Sequence, residues 1–351
     1  MIWLTWRQLR AQATMMAAAL AALVVILAVT GPGLANEYSD GIAACTGQGG
    51  DCSDFADQFF RDNRGPFVAV TAVVLVLPAL IGLFWGAPLI ARELEAGTHR
   101  LVWNQSVTRT RWLAVKLGLL GLATIAATGL GILAVDWWSN PLDKAAADDF
   151  ARIEPMLFGT RGSVPMAYAA FAFALGVTVG MLVRRTVAAM AITLAVFVAV
   201  QLAMPQLVRP NLIAPVRSTI EFTPSRLTMF AFGPDGLEVD VTLRDRGAWT
   251  LSSQTVDGSG RAVERIPTSG SLSPTSGPCA APDEPPPESD GPGEELAPCL
   301  AEVERLGYRQ QVTYQPADRF WPLQWYETAI YLALSLGLAG FCALWLRHRV
   351  T

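Results

Sequence analysis

Residues Ala91–Trp112 read Ala-Arg-Glu-Leu-Glu-Ala-Gly-Thr-His-Arg-Leu-Val-Trp-Asn-Gln-Ser-Val-Thr-Arg-Thr-Arg-Trp. This block is short, charged and helix-compatible, and a long apolar segment flanks it on each side. Such a block cannot lie in hydrocarbon, so the chain crosses a membrane before it and after it. Lys and Arg in short loops stay on the cytoplasmic side, which places the block there. Gly97-Thr98 predicts a break, with Thr98 as the N-cap of a short helix over residues 99–105. Thr108 is expected to cap the helix that carries Arg111 and Lys116 into the next span.

The rest of the chain agrees. It is 52% hydrophobic and 16% charged, with a mean hydropathy of +0.35, against about 25% charged in soluble domains. A span needs about 20 apolar residues. Six segments qualify: Ala13–Thr30, Phe67–Ile90, Leu113–Trp137, Pro165–Val183, Val187–Met204 and Tyr326–Leu346. Only Arg184-Arg185-Thr186 separates the fourth from the fifth, so these two form a tight hairpin. Arg7 and Arg10, the basic residues of the 91–116 region, Arg184 and Arg185, and Arg347 and Arg349 all fall on one side of a six-span path. Of the 30 acidic residues, only Glu93 and Glu95 fall on that side. Both termini are therefore expected in the cytoplasm of a multi-pass bacterial plasma-membrane protein.

Two alternatives concern the N-terminus. Arg7, Arg10, the following apolar run and Gly33-Leu34-Ala35 also fit a cleaved signal peptide, although the run is long for one and Trp3 and Trp6 are unusual there. Ile2, Trp3, Trp6 and Leu9 recur at helical spacing beside Arg7 and Arg10, which suits an interfacial helix as well as the start of span one.

The segments Gly31–Pro66 and Pro205–Trp325 are assigned to the outside. Cysteines on an oxidising face pair. Sequence proximity favours Cys45–Cys52 and Cys279–Cys299, and Cys342 is a packing residue within span six. Leu237–Leu243 alternates apolar and polar and reads as a strand, with Trp249–Val256 as its hairpin partner through Asp245–Gly247. Ser269–Pro298, rich in Pro, Ser, Gly and acid, reads as an excursion. Cys299–Gly307 reads as a helix and Gln311–Tyr314 as a short strand. Trp321, Trp325 and Tyr326 suit an interfacial aromatic belt.

Several chemistries lack their residues. Lys116 and Lys144 are the only lysines, and neither follows a glycine-rich loop, so no P-loop is present. His99 and His348 are the only histidines, and no zinc-protease helix or nucleophile elbow occurs. No catalytic, cofactor or metal residue is assigned, and no basic aromatic-interleaved patch suggests nucleic acid. Asp136 and Glu327 read as span-end residues and Lys116 as a snorkelling one, leaving span interiors without charge. That argues against an ion-coupled carrier, which needs an ionisable group at depth. Thr124, Thr128, Thr178, Thr193 and Gln201 are polar at depth. They would line a path across the membrane or bond their own helix backbones. Gly176-Val-Thr-Val-Gly180 permits a close helix crossing, within one bundle or at a dimer seam. Pro78 and Pro88 are expected to bend or interrupt span two.

The block 91–112 resembles the loop between the first two core spans of ABC-2 type transporter permeases. There, A-R-E-x-E-x-G-T followed by x-S-x-x-R-x-R rests on the ATPase subunit, and Ala91–Thr98 and Gln105–Arg111 carry both patterns. The approach to span six is similar to that of actinobacterial members, and the Arg-over-Lys, Ala-rich usage suits a GC-rich genome. The fold so implied is an α-helical integral membrane protein. It has a six-helix ABC-2 type bundle and a small disulfide-bearing α+β extracellular domain between spans five and six. Its expected divisions are 1–204, with the coupling region 91–112, then 205–325, then 326–351. The resemblance implies an ATPase contact through Glu93, Glu95, Gly97, Thr98 and Arg100. It implies two ATPase copies binding ATP and Mg, and a second permease chain, homodimeric or heterodimeric, among membrane lipids. The function implied is export of a hydrophobic or amphipathic substrate, such as a drug, antibiotic or lipid. A membrane sensor or scaffold, with the outer domain binding a ligand, fits the same topology.

Overall fold

The computed structural model describes residues 2–47, 49, 52–97, 108–146, 150–241, 243, 247–268, 270–280 and 296–348. Thr98 and Arg100 lie outside the described residues, as do the predicted helix 99–105 and residues 281–295 of the predicted excursion. The chain divides into two units, one of residues 1–212 with 320–351 and one of Ile213–Arg319.

The first unit is a helical bundle with six stretches long and apolar enough to cross a membrane, as the hydropathy predicts. Helix α1 (Ile2–Gly47) is followed by α2 (Ser53–Ile81) and α3 (Ala87–Glu95). Then come α4 (Arg109–Ala145), the short α5 (Pro155–Phe158), α6 (Val164–Val183), α7 (Thr186–Ala203) and α8 (Arg209–Leu212). Residues 13–66 differ from the expected span followed by a loop. Helix α1 runs unbroken from Ile2 through Gly33–Ala35 to Gly47, and Leu27 and Leu34 join a core with Phe59, Phe60, Phe67 and Trp138. The aromatic stripe Phe55, Phe59, Phe60 holds this stretch as a helical hairpin, closed at its tip by Cys45–Cys52.

Span two is interrupted, but not at both prolines. Helix α2 continues through Pro78. The break is a π turn over Gly82–Gly86, directly before Pro88. Proline has no N–H and its ring crowds the carbonyl four residues back. The helix widens by one residue to compensate, and the Ala87 N–H reaches Gly82 O instead. The same solution recurs in span five. A π turn over Met204–Val208 precedes Pro210, and the Arg209 N–H reaches Met204 O. In hydrocarbon no water satisfies the freed groups, which favours such local repair, although α2 passes Pro78 without a π turn.

Helix α6 is the axis of the bundle and is buried along nearly its whole length, from Val164 to Met181. It packs against α2, α3, α4, α7 and the last helix α10 (Phe320–His348), which follows α9 (Ala297–Arg305) of the second unit. Gly176 and Gly180 form its crossing with Gly82, Gly86 and Ala87. A β-carbon on Gly176 would lie 2.5 Å from Gly82 O, and one on Gly180 would lie 2.5 Å from Ala87 O. The G-x-x-x-G motif thus serves a contact inside one bundle. The α6–α7 hairpin turns through Arg184, whose φ of 58° is the one left-handed non-glycine conformation among the described residues.

The second unit carries a four-stranded sheet in the order β1-β6-β4-β5, from β1 (Val216–Ile220), β4 (Trp249–Val256), β5 (Ala262–Val263) and β6 (Arg309–Gln315). A separate hairpin joins β2 (Leu227–Gly233) to β3 (Gly236–Val241). The predicted strands exist, but the predicted pairing is wrong. The segment at Leu237 pairs backward with β2 through Pro234-Asp235-Gly236, a proline-aspartate-glycine turn signal, whereas Trp249–Val256 pairs with β6. The Cys279–Cys299 disulfide forms as expected and ties the chain to α9, whose Leu300 and Val303 complete the unit's core with Val312. Cys342 is a buried free thiol against Thr178 in the bundle.

The Gly176 crossing makes a direct prediction. Replacing Gly176 by Val should cost about 1–3 kcal/mol or more through overpacking and lower the melting temperature in detergent. Gly118→Val, at a site with no neighbour within 4 Å of a β-carbon, should melt close to wild type. Equal melting of the two variants would contradict the crossing.

Candidate functional site

Two polar regions stand out in the bundle, one at the end that carries Arg184 and Arg185 and one at the opposite end. At the basic end, α3 stops because Gly97 adopts the left-handed conformation, with φ of 68°, and its N–H bonds Leu94 O. Glu93 forms an ion pair with Lys116 of α4, and the Lys116 ammonium also lies 4.6 Å from the Trp112 ring centroid. Lys116 is therefore buried and paired inside the bundle rather than snorkelling to the surface, because α3 presents a carboxylate to it. Glu95 is exposed and accepts from both the backbone N–H of Thr186, at 3.0 Å, and its hydroxyl, at 2.7 Å. Thr186 opens α7, so the carboxylate caps a helix N-terminus where negative charge is favoured. Thr108 caps α4 as expected, its hydroxyl accepting from the Arg111 N–H at 3.4 Å.

The two glutamates of α3 therefore fasten it to α4 and α7 at once. The predicted interface residues divide accordingly. Glu93 faces inward, Glu95 and Gly97 lie at the surface end of α3, and Thr98 and Arg100 fall outside the described residues.

The opposite end holds charges that hydropathy alone misplaced. The fifth span does not end at Met204. It continues as helix to Leu212, which carries Arg209 into the bundle beside Glu327 of α10. The Arg209 guanidinium donates to both Glu327 oxygens, at 2.8 and 3.1 Å, and to the Tyr168 hydroxyl at 3.4 Å. The Tyr168 hydroxyl in turn donates to Glu327. All three are buried, and the guanidinium carbon lies 4.0 Å from the Phe158 ring centroid. One helical turn earlier on α10, the Gln324 amide donates to Phe158 O and Arg161 O, and its carbonyl accepts from the Val164 N–H that opens α6.

A second buried pair flanks the first. Arg161 donates to Asp143 through Nε at 3.1 Å, and Ser139 donates to the same carboxylate at 3.2 Å. The Asp136 carboxylate accepts from the Gly162 N–H at 3.2 Å. The expectation of charge-free span interiors is thus corrected. Arg209 and Arg161 were read as loop residues because polar neighbours surround them in sequence. The one signal in sequence was Glu327 within the apolar last helix, which needs a cation; Asp143, beside Lys144, meets both Arg152 and Arg161.

The predicted polar path does not assemble as one lining. Thr124 and Thr128 face a common cavity of about 100 Å³ between α1, α2 and α4. Thr178 bonds its own helix at Ala174 O. Thr193 is buried and lines neither that cavity nor its neighbour. Gln201 accepts from the Tyr331 hydroxyl at 3.3 Å.

A buried charge left without its partner costs about 3–5 kcal/mol, whereas replacing both partners by apolar groups is often neutral. Arg209→Met and Glu327→Met should each lower the melting temperature in detergent strongly. The double variant should lose much less than the sum of the two, giving a large coupling energy in the mutant cycle. Strict additivity would show that the pair contributes no mutual stabilisation.

Comparison with known proteins places the bundle. The family model described as ABC-2 membrane transporter related matches residues 17–209, from within α1 to the arginine of the buried pair. No curated protein and no solved structure matches the chain. With six membrane-crossing helices and a match over more than half its length, this chain belongs to the ABC-2 membrane transporter related family.

Proposed function

We propose that the chain is the membrane-spanning subunit of an ATP-driven exporter in the bacterial plasma membrane, with both termini in the cytoplasm. ATP and Mg are bound by a separate ATPase, two copies of which serve two permease chains, a homodimer being favoured over a heterodimer. The observation that carries the reading is the double fastening of α3, by Glu93 to Lys116 and by Glu95 to Thr186. A short helix tied to two neighbouring spans suits the transfer of force from a partner. Family membership supplies the kind of partner.

In this reading the ATPase docks on the segment from Glu95 to Trp112, with Gly97, Thr98 and Arg100 in the contact. Glu95 anchors the contact's edge and Glu93 carries the load inward. The π turn at Gly82–Gly86 lies just inward of α3 and is the flexible joint through which α3 tilts against α6. The residues between spans five and six form the outer, disulfide-bearing unit. The arginine and acid pairs at the far end are saturated by each other and by Tyr168 and Ser139. They hold helices together and present no open charge to a cargo, which leaves an apolar or amphipathic substrate as the class that fits.

Purification from native membranes in mild detergent tests the partner. A stoichiometric P-loop ATPase is expected with the wild-type chain, and its yield should fall several-fold with Arg100→Glu. Absence of any ATPase after gentle crosslinking would remove the exporter reading and favour a sensor or scaffold. Pro88→Ala should retain the ATPase yet transport poorly, because it restores the α-helical bond that the π turn replaces. Unimpaired transport by that variant would exclude the π turn as the joint.

A further inference from the structure

Most buried threonines in a membrane helix satisfy their hydroxyl on the carbonyl four residues back. The buried Thr178 donates to Ala174 O at 2.8 Å in this way, as does the exposed Thr30 to Ile26 O at 2.8 Å. The buried hydroxyls of Thr71, Thr193, Thr124 and Thr128 do not, and of these only Thr124 and Thr128 face the cavity between α1, α2 and α4. They lie one turn apart on α4, are 1% and 2% exposed, and their hydroxyls have no hydrogen-bond partner among the described residues. Both line the cavity of about 100 Å³, whose remaining wall is apolar and includes Leu20, Leu23, Val73 and Leu77. A buried hydroxyl without a partner is costly. Water is a poor remedy where the wall offers few other polar groups, since apolar cavities stay dry.

This cavity shares Met16, Ala19, Leu77 and Trp85 with a neighbouring groove of about 790 Å³. The groove reaches the basic end, where Arg92, Glu95 and Thr186 line it. Its size lies in the range of small-molecule sites. Helix α1 forms one wall, and among its described side chains the buried ones lie toward the far end. There Leu27 and Leu34 are buried and Thr30 accepts from the Trp138 indole at 3.0 Å. Toward the basic end Met15 is 73% exposed. The arrangement is a cleft, polar at its mouth, apolar along its walls and furnished with two free hydroxyls at its inner end.

We propose that this cleft binds an amphipathic molecule. Its polar head lies at Arg92 and Glu95, its apolar body lies between α1 and α2, and a neutral oxygen or nitrogen within that body bonds the hydroxyls of Thr124 and Thr128. That the cleft loads cargo rests on the exporter reading above, whereas its binding chemistry does not. No charged side chain lines the inner cavity, so the buried polar atom of the ligand is uncharged. A plain hydrocarbon chain leaves both hydroxyls unanswered and binds less well.

Two photoactivatable single-chain phosphocholine probes of equal length test this on the full chain in detergent, without ATPase or nucleotide. One carries an ether oxygen midway along its chain and the other has methylenes throughout. The ether probe should label Met16–Leu23 and Thr124–Gly131 more than the methylene probe, on the order of five-fold for one net neutral hydrogen bond. The near-isosteric Thr124→Val/Thr128→Val variant should keep the labelled peptides and erase the preference. Ala127→Phe, which fills the cavity, should abolish labelling there by both probes. Equal labelling of the wild type by the two probes would overturn the hydrogen-bonding role. Labelling indifferent to Ala127→Phe would overturn the site. A chain that labels as expected but moves no probe when its ATPase is supplied would leave the site standing and count against the exporter reading alone.

Discussion

The bundle depends on the close crossing of α6 with the π turn of span two. Gly176 and Gly180 on one side meet Gly82, Gly86 and Ala87 on the other, with backbone in contact with backbone. Between helices in hydrocarbon there is no hydrophobic driving force, so association rests on van der Waals contact and on small residues that permit it. Because α2 and α3 approach α6 this closely, α6 can be buried on all sides while α4, α7 and α10 complete its surround. The π turn at that crossing has a cause in sequence, the missing N–H of Pro88. Its consequence is tertiary, a wider turn placed where two helices touch most closely.

Among the described residues, each buried charge of the bundle meets an opposite charge and a further polar or aromatic group. Arg209 has Glu327 and Tyr168, Arg161 has Asp143 and Thr160, and Lys116 has Glu93 and the Trp112 ring. These pairs connect separate helices, α8 to the sequence-distant α10 and α3 to its successor α4. They therefore fix which helix ends lie together more than they add to stability, since desolvation offsets much of the attraction. The buried hydroxyls of Thr71, Thr124, Thr128 and Thr193 have no partner among the described residues, and those of Thr124 and Thr128 face a cavity.

The two ends of the bundle differ in what they hold. At the far end, Gln324 bonds the loop carbonyls of Phe158 and Arg161 and the first N–H of α6, and so fastens three segments with one side chain. At the basic end, the fastenings are two glutamates on one short helix, one of them exposed. The far end is held by paired charges, whereas the basic end adjoins an open groove.

The number of spans, the α6–α7 hairpin, both disulfides, the Thr108 cap and the glycine contact motif were legible in the chain itself. Each rests on local composition or on neighbours near in sequence: apolar run length, a paired cysteine spacing, a capping hydroxyl, two glycines one turn apart. The helical hairpin over residues 31–66, the strand pairing of Trp249–Val256 with β6, and the partners of Arg209, Arg161 and Lys116 were not. Hydropathy treats an arginine among polar residues as a loop residue, because it cannot know that a carboxylate 118 positions away stands opposite. The grouping of Thr124 with Thr128 at one cavity, and the separation of Thr178, Thr193 and Gln201 from it, likewise came from helix rotation. Sequence alone determined that this chain crosses a membrane and how many times, because apolar run length is a local property. Which polar groups meet was decided only by tertiary structure, because a charge in a low-dielectric interior is set by its spatial neighbours, not its sequential ones.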